Sequence, residues 1–193
     1  MPLDSTPPGQ ALSTERACAN LDPRAETLVT ACDHEIVIDR TRWERFRVSP
    51  DCDAAVFTVR GYPGAARRPE AYSYVLVDNG DAHEFPLARG VSLKKPVPGG
   101  DDLLVGTFWF RTGGLLRDGI AWLRETNERV NGELYLDGII AALARHGFRT
   151  RVIRLDGYVN WGDPDSFAEA AYWEEVFRGP RTHPRRKYPG LSP

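Results

Sequence analysis

The sequence predicts an α/β domain of three layers, in which a mainly parallel sheet is covered by helices on both faces. Three observations carry this reading. Short apolar runs alternate along the chain with segments of helical periodicity, the pattern of stacked β-α units. Of the 193 residues 41% are hydrophobic, enough for a core on both sides of a sheet. No apolar stretch approaches the roughly 18 residues of a membrane span.

The elements follow in order. "STERACANL" reads as a short helix with Ser13 or Thr14 as its cap, closed by Pro23. "ETLVTACD" reads as a buried strand ending in a carboxylate, Asp33. Asp39 can cap the helix "DRTRWERFRV", where Trp43 and Phe46 face the core. "DAAVFTV" is a second buried strand, and "RGYPGAARRPEA" reads as a loop by its Gly, Pro and Arg content. "YSYVLVD" and "RGVSLKK", with an Asn79-Gly80 turn and "DAHEFPL" between them, predict an antiparallel meander. "DLLVGTFWFR" is a strongly apolar strand, and residues 115–129 read as a helix.

"GELYLDGIIAALARHG" carries the clearest helical stripe, Leu136, Ile139, Ile140 and Leu143, with Gly147 as its C-cap. "FRTRVIRLD" alternates as a strand. Then comes a turn, "YVNWGDPDSF", followed by a last helix, "DSFAEAAYWEEVF", with Asp165 as its cap. Residues 1–178 read as one domain. Residues 179–193 read as a flexible, basic, Pro-rich tail.

The formal net charge of -2 gives no argument for nucleic acid or an anionic membrane as partner. Three cysteines are an odd number without metal-ligand spacing, which favours reduced thiols and the cytoplasm. Cys32, inside an apolar run, reads as a small buried residue. "MPLDSTPPGQ" has neither the basic start nor the apolar core of a signal peptide.

In such sheets ligands bind beyond the carboxyl ends of strands. That points to Asp33, to the segment after "LLVG", and to the turn at 160–165. Asp33 either binds a hard divalent cation or caps a turn. Lys94 and Lys95 are a phosphate-binding pair or a solvated one. Glu133 either favours a helix N-terminus or accepts from sugar hydroxyls. The turn crowds Asn160, Asp163 and Asp165 around Gly162 and Pro164, more polar groups than a bare turn requires.

"GELYLDGIIAALARHGFRTRVIRLDGYVNWGDPDSFAEAAYW" resembles the end of the sugar nucleotidyltransferases, where a Gly-Glu helix, a strand, a Gly-Thr-Pro-like turn and a last helix follow one another. "LVTACD" resembles that family's strand ending in its metal-binding aspartate. "VSLKKP" resembles its Glu-Lys-Pro segment, "LLVGTFWFR" the strand that follows, and "GQALSTERACANL" the helix before the aspartate strand. The resemblance spans roughly residues 8 to 177.

The resemblance implies a mixed, Rossmann-like α/β/α sheet of nucleotide-diphospho-sugar transferase type, truncated at its N-terminus, since no Gly-rich triphosphate loop precedes residue 8. It implies transfer of NMP from a nucleoside triphosphate to a sugar 1-phosphate, with Mg²⁺ as cofactor, for cell-surface or other polysaccharide. By the match, Asp33 would bind metal, Lys95 the sugar phosphate, and Gly106 and Glu133 the sugar. Asp163 or Asn160 would be the second metal ligand. A non-catalytic remnant that binds a sugar phosphate or a partner chain is the alternative. A homo-oligomer or a partner chain would cover the shortened sheet. The chain departs from the family pattern with Lys94 in place of Glu, Asn160 in place of the second aspartate, and Ala71 and Ser73 where glycines flank the tyrosine.

Overall fold

A computed structural model describes residues 7–78, 80–98, 100 and 102–178. The tail at 179–193 and Asn79 of the meander turn lie outside the described residues. Among the described residues there are eight strands, β1 (Thr27–Thr30), β2 (His34–Val37), β3 (Ala54–Val59), β4 (Tyr74–Val77), β5 (Ala88–Ser92), β6 (Leu103–Phe110), β7 (Thr150–Arg154) and β8 (Gly157–Asn160). Six helices accompany them: α1 (Gln10–Cys18), α2 (Arg40–Arg47), α3 (Pro63–Arg67), α4 (Gly113–Thr126), α5 (Ile139–Arg145) and α6 (Pro164–Arg178).

Six strands form one sheet in the order β5-β4-β6-β3-β7, with β1 also pairing β6; β2 and β8 form a separate two-stranded ribbon. The sheet is mixed. The expectation of a mainly parallel sheet fails at β6, which runs against β1, β3 and β4; only β3 and β7 pair in parallel. Most of the remaining strands do point one way, but β6 stands between them, so most ladders are antiparallel.

Alternation along the central strands builds two cores. Ala54 and Val56 of β3, Phe108 and Phe110 of β6, and Val152 of β7 pack under α1, α4 and α5. Ala55, Phe57, Leu103, Trp109 and Ile153 face the opposite way, towards Trp43 and Phe46 of α2. The period of two makes both faces apolar, as a sheet covered on each side requires. Phe46 stacks on Trp43 at 5.6 Å and meets Trp109 edge-on at 5.2 Å. Asp39 caps α2 as expected, accepting from the Arg42 amide.

Several local expectations are corrected. Ser13 and Thr14 lie inside α1 and bond back to the Gly9 and Gln10 carbonyls. Tertiary pairing sets that start instead: Ala11 N–H donates to Leu134 O and Leu134 N–H to Pro8 O. The segment 60–71 is not plain loop, because Pro63 and Pro69 each open a short helical turn, where the missing N–H is no loss. The stripe near 132–147 is helical only from Leu136 on, first as a 3-10 turn. Asn131 and Gly132 have left-handed backbones, and a Val130–Glu133 bridge turns the chain there, so no helix can begin at Glu133. Cys32 is exposed, not buried, whereas Cys18 and Cys52 are buried.

Candidate functional site

β6 is flanked on one side by two strands in succession. β1 runs beside it until Thr30 meets Thr107, and β4 begins where Tyr74 meets Leu103. Between these pairings the ladder is interrupted, with Leu104 N–H still donating to Ser73 O at 2.9 Å, and Leu104–Gly106 lines a cleft of about 270 Å³. The gap coincides with a β-bulge, where the register against β3 shifts between Val56 and Thr58. Gly106 has φ +76°, a conformation that glycine adopts without strain. Its carbonyl accepts from Ala31 N–H at 3.2 Å, holding the end of β1 against it.

One wall is built by the β2–β8 ribbon. His34 pairs with Asn160, which sets Asp33 beside the turn after β8. The Trp161 amide donates to the Asp33 carbonyl at 2.8 Å. A β-carbon at Gly162 would lie 2.6 Å from Asp33 Oδ2, so a side chain there would push that carboxylate aside. The Asp33 side chain is 53% exposed, and its ion contact, to His34 Nδ1, is long at 3.9 Å. The carboxylate therefore faces the cleft with its oxygens available.

Asn160 and Asp163 are placed differently. Asn160 Oδ1 accepts from Gly162 N–H at 3.0 Å, while its amide nitrogen donates to Asp163 and to Ser166, each at 3.2 Å. Asp163 accepts from Ser166 N–H at 3.1 Å, Ser166 Oγ at 2.7 Å and Arg68 at 2.9 Å. Those Ser166 hydrogen bonds, with Arg68 beside them, hold its carboxyl below the ordinary aspartate range. Asp163 is thus the cap of α6, correcting the assignment to Asp165. Both side chains line the cleft, but their polar atoms are engaged in the turn. Trp161 lines a different space, a groove of about 740 Å³ along α6 shared with Phe167 and Trp173. That larger groove has aromatic walls, and on it Arg67 is paired with Glu169.

Beneath Asp33, His34 Nε2 sits 3.0 Å from Thr107 Oγ1 and 3.3 Å from Thr30 Oγ1. Burial lowers the His34 pKa, against the opposing pull of Asp33, and the ring serves as a polar strut. Burial likewise raises the Tyr158 phenol on the same wall.

The opposite wall holds Ser73, Lys94, Tyr135 and Asp137. The lysine in the cleft is Lys94; Lys95 is exposed and does not line it. Lys94 has a left-handed backbone, φ 52°, which turns its side chain back over the sheet. Its ammonium donates to Ala71 O at 2.6 Å and lies 5.2 Å over the Tyr135 ring. Glu133 is exposed and also outside the cleft; Tyr135 and Asp137 of its segment take that place. The signal for Asp137 was a lone carboxylate inside an apolar run, "LYLDGII". Ser73 and Arg68 had no signal that spacing could give.

A Mg²⁺ ion fits this cleft as the partner of one carboxylate. Among the described residues no group of three His, Cys, Asp or Glu side chains is placed to hold a metal. Asp33 offers a carboxylate with no side-chain hydrogen bond among the described residues, and Mg²⁺ commonly takes one or two carboxylates and completes its shell with phosphate and water.

No protein-family model and no curated protein matches the sequence. Solved structures do match. A nucleoside-diphosphate-sugar pyrophosphorylase from Vibrio cholerae aligns with TM-score 0.60 and 18% identity over 86% of this chain and 66% of its own. A UTP-bound UGPase from Acinetobacter baumannii aligns with TM-score 0.64 and 15% identity over 93% and 59%. The inositol-1-phosphate CTP transferase from T. maritima aligns with TM-score 0.59 and 14% identity over 89% and 64%. The chain therefore spans 59 to 66% of the length of these structures. The mixed sheet, the two cores and these alignments agree: the chain has the fold of the sugar nucleotidyltransferases.

Proposed function

We propose that the cleft binds the phosphorylated acceptor of a nucleotidyl transfer. The reaction moves NMP from a nucleoside triphosphate to a sugar 1-phosphate in the cytoplasm, giving an NDP-sugar for polysaccharide and pyrophosphate. The supporting observation is the free Asp33 carboxylate on one wall with the tethered Lys94 ammonium on the other. An anionic phosphate between them meets a cation directly at Lys94 and, through bound Mg²⁺, at Asp33. When bound, Mg²⁺ would supply positive charge to the transferring phosphoryl group.

In this reading a phosphate oxygen of the sugar 1-phosphate attacks the α-phosphorus, and the bond to pyrophosphate breaks. Lys94 holds the attacking phosphate and offsets its charge. Gly106, lacking a side chain, lets the sugar lie against β6. His34 and its two threonine partners hold the Asp33 turn in place. Lys95 and Glu133, which the motif match suggested, sit outside the cleft.

The test is pyrophosphate release from pairs of NTP and sugar 1-phosphate. The chain alone turns over weakly, because no Gly-rich triphosphate loop occurs in its sequence. It still binds sugar phosphate with Mg²⁺, and Lys94→Ala weakens that binding while Lys95→Ala does not. Equal loss in both variants, or in neither, overturns the placement. A second reading, a non-catalytic binder that docks on another chain, is favoured by β1: among the described strands it pairs only with β6, and Leu28 on it is 53% exposed.

A further inference from the structure

The far end of α6 holds a buried apolar residue that neither core accounts for. Val176 is 5% exposed yet belongs to neither cluster. Beside it, Tyr172 and Phe177 are 42% and 72% exposed. Tyr172 with Val176, and Trp173 with Phe177, lie one turn apart on one side of the helix. Their rings lean on one another, Tyr172 on Trp173 at 5.4 Å and Trp173 on Phe177 at 5.9 Å. None of the four is without a partner. A buried valine between exposed rings calls for a narrow cover, about one extended chain wide, and not for a third core.

The chain itself offers such a cover. α6 ends at Arg178, which lines the 740 Å³ groove together with Trp173 and Phe177. Gly179 and Pro180 come next in sequence, a pair that stops a helix and turns the chain. From Tyr172 to Arg178 the helix rises about 9 Å, a distance that three or four extended residues retrace. Charge favours the return. α6 carries four carboxylates and one arginine, whereas residues 179–193 carry three arginines, one lysine and no carboxylate. The four prolines of that segment preset φ and suit aromatic faces, as in polyproline recognition.

We propose that residues 179–193 fold back and seat on the face formed by Tyr172, Trp173, Val176 and Phe177. They are then an intrachain strap on α6 instead of the flexible tail that their composition suggests. The strap bears on the cleft through the helix. It holds one end of α6, and the other end, capped by Asp163, forms the turn beside Asp33.

The test changes one side of the contact and reads the other, always in the full chain. Val176→Ala leaves the segment's sequence intact. Trypsin cutting after Arg181 then speeds about tenfold, the scale of two buried methyl groups, because cleavage follows the undocked population. Pro180→Gly, Pro184→Gly and Pro189→Gly together leave α6 intact and make the segment costlier to order. Amide exchange over residues 172–178 then rises about tenfold, while β3 and β6 do not change. Equal cutting of the native chain and Val176→Ala overturns the strap, and so does unchanged α6 exchange in the glycine variant. Protection of the Arg181 site that fades on dilution would put a second copy on α6 and overturns the intrachain seat.

Discussion

The amide of Trp161 donates to the carbonyl of Asp33 at 2.8 Å, tying the turn after β8 to the residue that precedes β2. Next to that bond, Gly162 leaves just enough room for the Asp33 carboxylate. Asp33→Asn should therefore abolish Mn²⁺ binding with little change in melting temperature, because the carboxylate is half exposed and outside both cores. Gly162→Ala should weaken Mn²⁺ about tenfold by displacing the same carboxylate. Relaxation titrations read both; Mn²⁺ bound by Asp33→Asn as well as by the native chain would end the assignment.

The turn also separates two aspartates by role. Asp163 holds Ser166 twice and caps α6, whereas Asp165 sits in the first helical turn. Asp163→Ala should cost about 1–2 kcal/mol, the range of a lost helix cap, and Asp165→Ala about 0.5 kcal/mol or less. Urea unfolding of the two variants checks the order, and equal losses would return the cap to Asp165.

Stability should fall in mild acid. Burial places the His34 pKa below the ordinary 6.5, so the folded chain binds fewer protons there than the unfolded one. Stability then rises with pH in that window. His34 contributes in full above 6.5 and loses its contribution as pH falls through the lowered value. Melts from pH 7.5 to 5 should show a steeper decline for the native chain than for His34→Gln. Parallel curves would show that the imidazole does not titrate in this range.

The thiols should differ in reactivity. Cys32 is exposed, while Cys18 and Cys52 are buried, and burial pushes the Cys52 thiol up to about 12. Reaction follows the exposed thiolate. A thiol reagent should therefore modify one cysteine of the native chain rapidly and all three in denaturant, with Cys32→Ser removing the fast phase. Two fast equivalents would mean that a core face opens.

Much of the fold was legible because it rests on period and composition. "AAVFTV" and "LLVGTFWF" form β3 and β6 as their apolar runs require, and Asp39 caps α2. Strand polarity was not legible, since no local signal tells β6 to run against its neighbours. The site was half legible. Asp33, Gly106 and the 160–163 turn meet in one cleft, as strand ends and glycines suggested. Lys94, and not Lys95, lines that cleft, and its left-handed backbone carries no signal in the local sequence. Glu133 lies outside the cleft that Asp137 lines, after Asn131 and Gly132 turn the chain before any helix starts. Ser73 enters only through the strand that follows it.

The two-stranded ribbon has a kinetic meaning. Its partners come from opposite ends of the chain: the Asp39 amide, just after β2, donates to Asp156, just before β8, 117 positions later. Closing so long a loop brings a late reward for an early entropy loss, so such contacts tend to form last. The sheet beneath can assemble from nearer neighbours while Asp33 still lacks its turn. A refolding experiment followed by Mn²⁺ capture would thus time the final step, and a chain with native circular dichroism but no cation affinity would be one caught before that closure.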